Sequence, residues 1–97
     1  MLNETRYLII VNMYAGNGYV ETGHFNISDN EPDALEVFNQ LKGTPIETEK
    51  ALLRLDFIVR SEQGLDTILR TLGCTLCEMS ENIKIIMKET FRMLNLI

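Results

Sequence analysis

The residues whose type and spacing come nearest to chemistry are Cys74-Thr75-Leu76-Cys77. A C-x-x-C at a helix N-terminus lowers a thiol pKa, because free backbone N–H groups stabilise the thiolate. Thr75 and Glu78 have the form of a capping box, with Cys74 just outside the helix and Cys77 in its first turn. That disposition suits a thiol-redox or thiol-sensing pair. Two features oppose it: Glu78 adds a negative charge that disfavours thiolate, and both prolines, Pro32 and Pro45, precede the motif. A small core cysteine beside a loop cysteine accounts for the same residues.

Other candidates are thinner. His24 is the sole histidine, and one imidazole plus two thiols leaves tetrahedral zinc a ligand short. Asp29, Glu31, Asp33 and Glu36 cluster, but without the glycine and spacing of a calcium loop; carboxylates complement a helix N-terminus without any ligand. Gly16-Asn17-Gly18 has no following helix or lysine to make a phosphate loop. These residues converge on no reaction, so neither a catalytic residue, a metal nor a cofactor is expected.

The elements that must position these residues are easier to read. Arg6–Ala15 and Tyr19–Ser28 are rich in β-formers and flank an Asn-Gly, the signal for a hairpin with a two-residue type I′ turn. With Asn17 and Gly18 as the loop, Ile10 faces Phe25 and Leu8 faces Ile27. The other face then carries Tyr7, Ile9, Val11 and Met13 against Ser28, Asn26, His24 and Thr22. Strand 1 is apolar on both faces and strand 2 on one, which places strand 1 inside the sheet and strand 2 at its edge.

Asn30 or Glu31 caps a helix with Pro32 in its first turn, an apolar stripe at Ala34, Leu35, Phe38 and Leu41, and Gly43 at its end. Residues 44–49 read as a loop. Ala51–Arg60 alternates as a third strand, with Ala51, Leu53, Leu55, Phe57 and Val59 on one face. Residues 65–72 are ambiguous: Leu65, Ile68, Leu69 and Leu72 fit a two-turn helix, whereas Thr67, Ile68 and Thr71 favour a strand returning onto the third; the reading leans slightly to helix. From the capping box onward, Leu76, Met79, Ile83, Ile86, Met87 and Leu94 mark a long C-terminal helix.

The expectation is therefore one α+β domain over residues 1–97: an antiparallel sheet of at least three strands packed against two helices. Composition fits, with 45% hydrophobic and 24% charged residues. Nine basic and 14 acidic residues give a net charge of -5, and the basic ones form no stripe, which argues against nucleic acid as a partner. The apolar run Tyr7–Val11 is too short to span a membrane and lacks the charged flank of a signal peptide. Two cysteines three residues apart cannot staple a secreted fold, so a cytoplasmic protein with reduced thiols is expected.

The favoured function is a non-catalytic protein-interaction module that self-associates. If helices cover one sheet face, Tyr7, Ile9, Val11, Met13 and Ile58 remain on the other as an apolar patch that a homodimer or an unidentified protein partner would bury. The alternative is a thiol-redox or thiol-sensing protein using Cys74 and Cys77.

Overall fold

The computed structural model describes residues 5–45 and 51–94. The chain opens with the expected hairpin, β1 (Arg6–Tyr14) and β2 (Tyr19–Ser28). Its loop has four residues: Tyr14 pairs with Tyr19, Ala15 N–H donates to Gly18 O at 2.8 Å, and the positive φ of +85° falls on Gly16. Helix α1 (Glu31–Phe38) follows, capped by Asn30, whose Oδ1 accepts from Asp33 N at 3.1 Å. It ends at Phe38, one turn short of Gly43. Gly43 is needed for another reason: its φ is +153° and a Cβ there would lie 2.7 Å from Gly73 O.

Thr44 and Pro45 form a two-residue strand, β3, rather than a loop; the rest of the loop expected over 44–49 lies outside the described residues, as does the Asn95-Leu96-Ile97 tail. Strands β4 (Leu53–Arg60) and β5 (Asp66–Cys74) and helix α2 (Leu76–Met93) complete the domain. The sheet is antiparallel throughout, in the order β2-β1-β4-β5-β3. Strand 1 is internal and strand 2 is an edge, as the apolar pattern requires.

Two expectations are corrected. Residues 66–74 are strand, not helix. The turn after β4, with Gly64 at φ +85°, returns the chain onto β4, whose unpaired backbone groups this strand satisfies. The hairpin register also differs. Asn12 pairs with Glu21 but Val11 with Gly23, so Thr22 is an extra, bulged residue, and its Oγ1 donates to Val11 O at 3.1 Å. A one-residue insertion exchanges faces. Beyond it Ile9, not Ile10, lies opposite Phe25, and Leu8 lies opposite Asn26, until a second irregularity between Leu8 and Tyr7 restores the expected Tyr7–Ser28 pair.

The main core therefore forms from the odd-numbered residues of β1. Ile9 and Ile27 pack with Leu55 and Phe57 of β4, Ala34, Val37 and Phe38 of α1, and Met79 and Ile86 of α2. The Phe38 and Phe57 rings stack at 5.2 Å. Both helices lie on this face. Leu8, Ile10 and Ile58 form a separate buried cluster on the other face, with no helical member.

Candidate functional site

The five residues expected to share an apolar patch are divided by the sheet. Tyr7, Ile9 and Val11 belong to the helix-covered core, with Ile9 wholly buried. Met13 is 44% exposed at the far end of β1, opposite Val20, while Ile58 is buried on the opposite face with Leu8 and Ile10. They do not make one exposed surface.

The two cysteines are divided as well. Cys74, at the end of β5, is buried, whereas Cys77, in the first turn of α2, is exposed. The expected capping box is present: Thr75 Oγ1 accepts from Glu78 N at 3.1 Å, and Glu78 Oε1 accepts from Thr75 N at 2.9 Å. Cys74 belongs to a buried polar node that the apolar pattern does not mark. Asn82 of α2 is fully buried, and its amide pairs with the Lys42 backbone in both directions, accepting from N at 2.8 Å and donating to O at 2.7 Å. The same Lys42 O accepts from Cys74 Sγ at 3.4 Å. Burial, then the charge of Glu78, push the Cys74 thiol up to about 11, away from the depressed values that make a thiol reactive.

A prediction follows for thiol chemistry. In the native protein at pH 8, a disulfide reagent should modify Cys77 readily and Cys74 only on unfolding, with rates at least about 100-fold apart. The raised pKa means that the folded state holds its proton more tightly. Cys74 should therefore cost the fold stability as pH rises from the free-thiol value to about 11, and not below that interval. Equal labelling of both thiols would contradict the buried placement of Cys74.

A second polar group lies on the sheet face away from the helices. Asp56 of β4 is buried and accepts from Asn12 Nδ2 at 2.8 Å, Arg54 Nη2 at 2.9 Å and Thr71 Oγ1 at 2.9 Å. The Arg54 guanidinium lies 4.0 Å from the centre of the Tyr19 ring. Alternation marks Arg54 and Asp56 as one polar face of a strand; it does not show that Asn12 and Thr71 flank them on neighbouring strands. Nearer the sheet edge, His24 Nδ1 lies 3.3 Å from Glu21 Oε2, both side chains about half exposed. Among the described residues, no three His, Cys, Asp or Glu side chains come together as a metal site, and no helix is long and apolar enough to cross a membrane.

Between the helices, Asp33, Glu36 and Val37 of α1 and Glu89, Arg92 and Met93 of α2 line an open cleft of about 390 Å³. Arg92 donates to Glu89, which holds that carboxyl below its ordinary value.

The largest departure from the expected apolar pattern lies on α2 itself. Its buried residues are Met79, Asn82, Ile86 and Glu89. Leu76, Met87 and Leu94, which belong to the apolar repeat that marks the helix in the sequence, are 76%, 45% and 62% exposed, and Phe91 is 41% exposed. At 3.6 residues per turn, Leu76, Ile83, Met87, Phe91 and Leu94 lie along one side of the helix, roughly a quarter-turn or more from the buried stripe. Ile83 is half-buried at the border between the two. Helix α2 thus carries two apolar stripes, one used by its own core and one facing outward. The signal was present in the sequence, since the apolar residues of this segment cover more than half of the helix surface. Comparison with known proteins gives no match: no family model, no curated protein and no solved structure is similar to this chain.

Proposed function

We propose that this protein is a non-catalytic interaction module whose contact surface is the outward apolar stripe of α2. The observation that carries this reading is the exposure of Leu76, Met87, Phe91 and Leu94 on one side of a helix otherwise anchored by its core stripe. Single exposed apolar residues are ordinary, but an aligned row along a rigid element is the usual form of a helical docking surface. Methionine suits such a surface because its side chain adapts to its partner. The expected binding role is kept, and its surface moves from the sheet to the helix. One buried and one exposed unpaired cysteine support the cytoplasmic setting expected from the sequence.

A photo-crosslinking residue at position 87, expressed in the native host, tests this reading. Adducts of discrete mass are expected there, and none with the same residue at Glu62, in the turn between β4 and β5. Absence of any adduct at position 87, to the protein itself or to another, would refute α2 as a contact surface.

A further inference from the structure

The tip of the β1–β2 hairpin places an asparagine directly before a glycine. Glycine has no Cβ, so the backbone nitrogen of Gly18 is open to approach by the side chain of Asn17. Ring closure between the two is intramolecular, and its rate depends on how freely nitrogen and side-chain carbonyl carbon can meet. Asn17 is exposed, and both residues lie outside the strands. The loop's hydrogen bonds do not restrain the attacking atom. Ala15 O accepts from Asn17 N at 3.0 Å and Ala15 N donates to Gly18 O at 2.8 Å, so Gly18 N takes part in neither bond. A Cβ built on Gly18 would meet nothing within 4 Å, which leaves space for this peptide unit to turn.

The other described asparagines are held in place. Asn12 is buried and donates to Asp56, and the Asn82 amide is buried and bonded to both N and O of Lys42. Asn30 Oδ1 caps α1, while Asn39 at the other end of that helix donates its N–H to Leu35 O and accepts from Arg70 Nη2. Asn26 lies within β2, before the β-branched Ile27. Each of these five is followed by a residue that carries a side chain.

We infer that Asn17 is a site of spontaneous, selective covalent modification, in which Gly18 N attacks Asn17 Cγ in the folded protein and converts the asparagine to aspartate and isoaspartate. The bond from Gly18 N to Cγ forms, the bond from Cγ to Nδ2 breaks, and the proton of the Gly18 N–H leaves with Nδ2 as ammonia. Water then opens the cyclic imide. Addition at Cγ gives aspartate, and addition at the main-chain carbonyl carbon gives isoaspartate. Water is the only co-reactant, and nothing is oxidised or reduced. Either product puts a negative charge at the hairpin tip, and isoaspartate also adds a methylene to the backbone. These changes fall between Tyr14 and Tyr19, whose rings meet edge to face at 5.4 Å, with Tyr14 OH donating to Gly16 O at 2.6 Å. No loop residue belongs to either core cluster, so the modified chain stays folded.

The test is peptide mass spectrometry of the full chain incubated in mildly alkaline buffer, folded and, in parallel, unfolded in urea. In the folded protein the Asn17 peptide should gain the mass of an amide-to-acid exchange at least about tenfold faster than any asparagine named above. It should resolve chromatographically into aspartate and isoaspartate forms, since only a ring that opens at either carbonyl gives both. The folded rate should lie within about tenfold of the unfolded one, because the loop leaves the nitrogen unrestrained. Gly18→Ala should slow the reaction at least about tenfold, the added methyl hindering the approach. Circular dichroism establishes its folding, and the comparison of folded with unfolded wild type decides the matter if this variant does not fold. Protection of Asn17 by more than about tenfold on folding would overturn the inference. So would earlier reaction of another named asparagine, or a product without isoaspartate.

Discussion

Ile9→Lys is expected to abolish the folded state at room temperature. Ile9 has no exposed surface and sits on the internal strand β1, with Phe57 opposite on one side and Phe25 on the other. Its neighbours in the core cluster are hydrophobic side chains, so the new ammonium would be buried among apolar groups. Helices cover that face, which denies the lysine stem a short route to water. Losing the isoleucine packing costs about 1–4 kcal/mol, and an unpaired buried charge costs several more. Together these approach or exceed the roughly 5–15 kcal/mol by which a domain is stable. Circular dichroism and urea titration read the result. Met87→Lys, the same charge on an exposed helix position, should change monomer stability by no more than about 0.5 kcal/mol. The pair of variants separates the two surfaces: had Ile9 formed part of a dimer interface, its lysine variant would be a folded, soluble monomer. Recovery of such a monomer would contradict the face assignment made by the Thr22 bulge.

The second large effect is expected at Asp56. Asp56→Ala removes the acceptor on which Asn12, Arg54 and Thr71 converge and leaves a guanidinium without its counter-charge. Arg54 Nε already has no partner and is buried, which leaves the Tyr19 ring as the remaining compensation for this cation. Breaking a buried ion pair by deleting one member costs about 3–5 kcal/mol. The lower end applies here, because the Arg54 side chain is 24% exposed and water reaches part of it. Asp56→Asn keeps an acceptor and the shape, and should lose less. Replacing both charges, Arg54→Leu with Asp56→Leu, should recover more than half of the loss, because the penalty lies in the orphaned cation rather than in a missing attraction. Urea unfolding of the three variants provides the comparison. A double variant as unstable as Asp56→Ala would show that hydrogen bonding by Asn12 and Thr71, not charge, dominates the network.

Both results depend on features with different visibility in the chain. The Asp56 network is assembled from three strands: Asn12 from β1, Arg54 and Asp56 from β4, and Thr71 from β5. Only the Arg54–Asp56 alternation is local. The pairing of Asn12 with Arg54 and of Asp56 with Thr71 is a matter of register, set by backbone hydrogen bonds between segments more than ten residues apart. The Asn82 node is similar. Asparagine in a helix reads as solvated, and its burial follows only from the return of the Lys42 backbone against α2.

What the sequence by itself determined is local. The hairpin, the Asn30 cap, the Thr75–Glu78 capping box, the alternation of β4 and the length of α2 each arise from residues within a turn or a strand of one another. So does the placement of β1 inside the sheet, since a strand apolar on both faces needs cover on both. Only the tertiary structure decided which faces are used. One extra residue at Thr22 exchanges the pairing faces of the hairpin over Leu8–Val11, because side chains alternate with a period of two and a single insertion reverses them. Residues 66–74 became strand because β4 needed a partner for its backbone, a demand no short apolar period records. Helix α2 has apolar residues around more than half its surface, so its sequence permits two buried stripes; packing of Met79 and Ile86 on the sheet, with Asn82 bound to Lys42, chose one and left Leu76, Met87 and Leu94 facing outward.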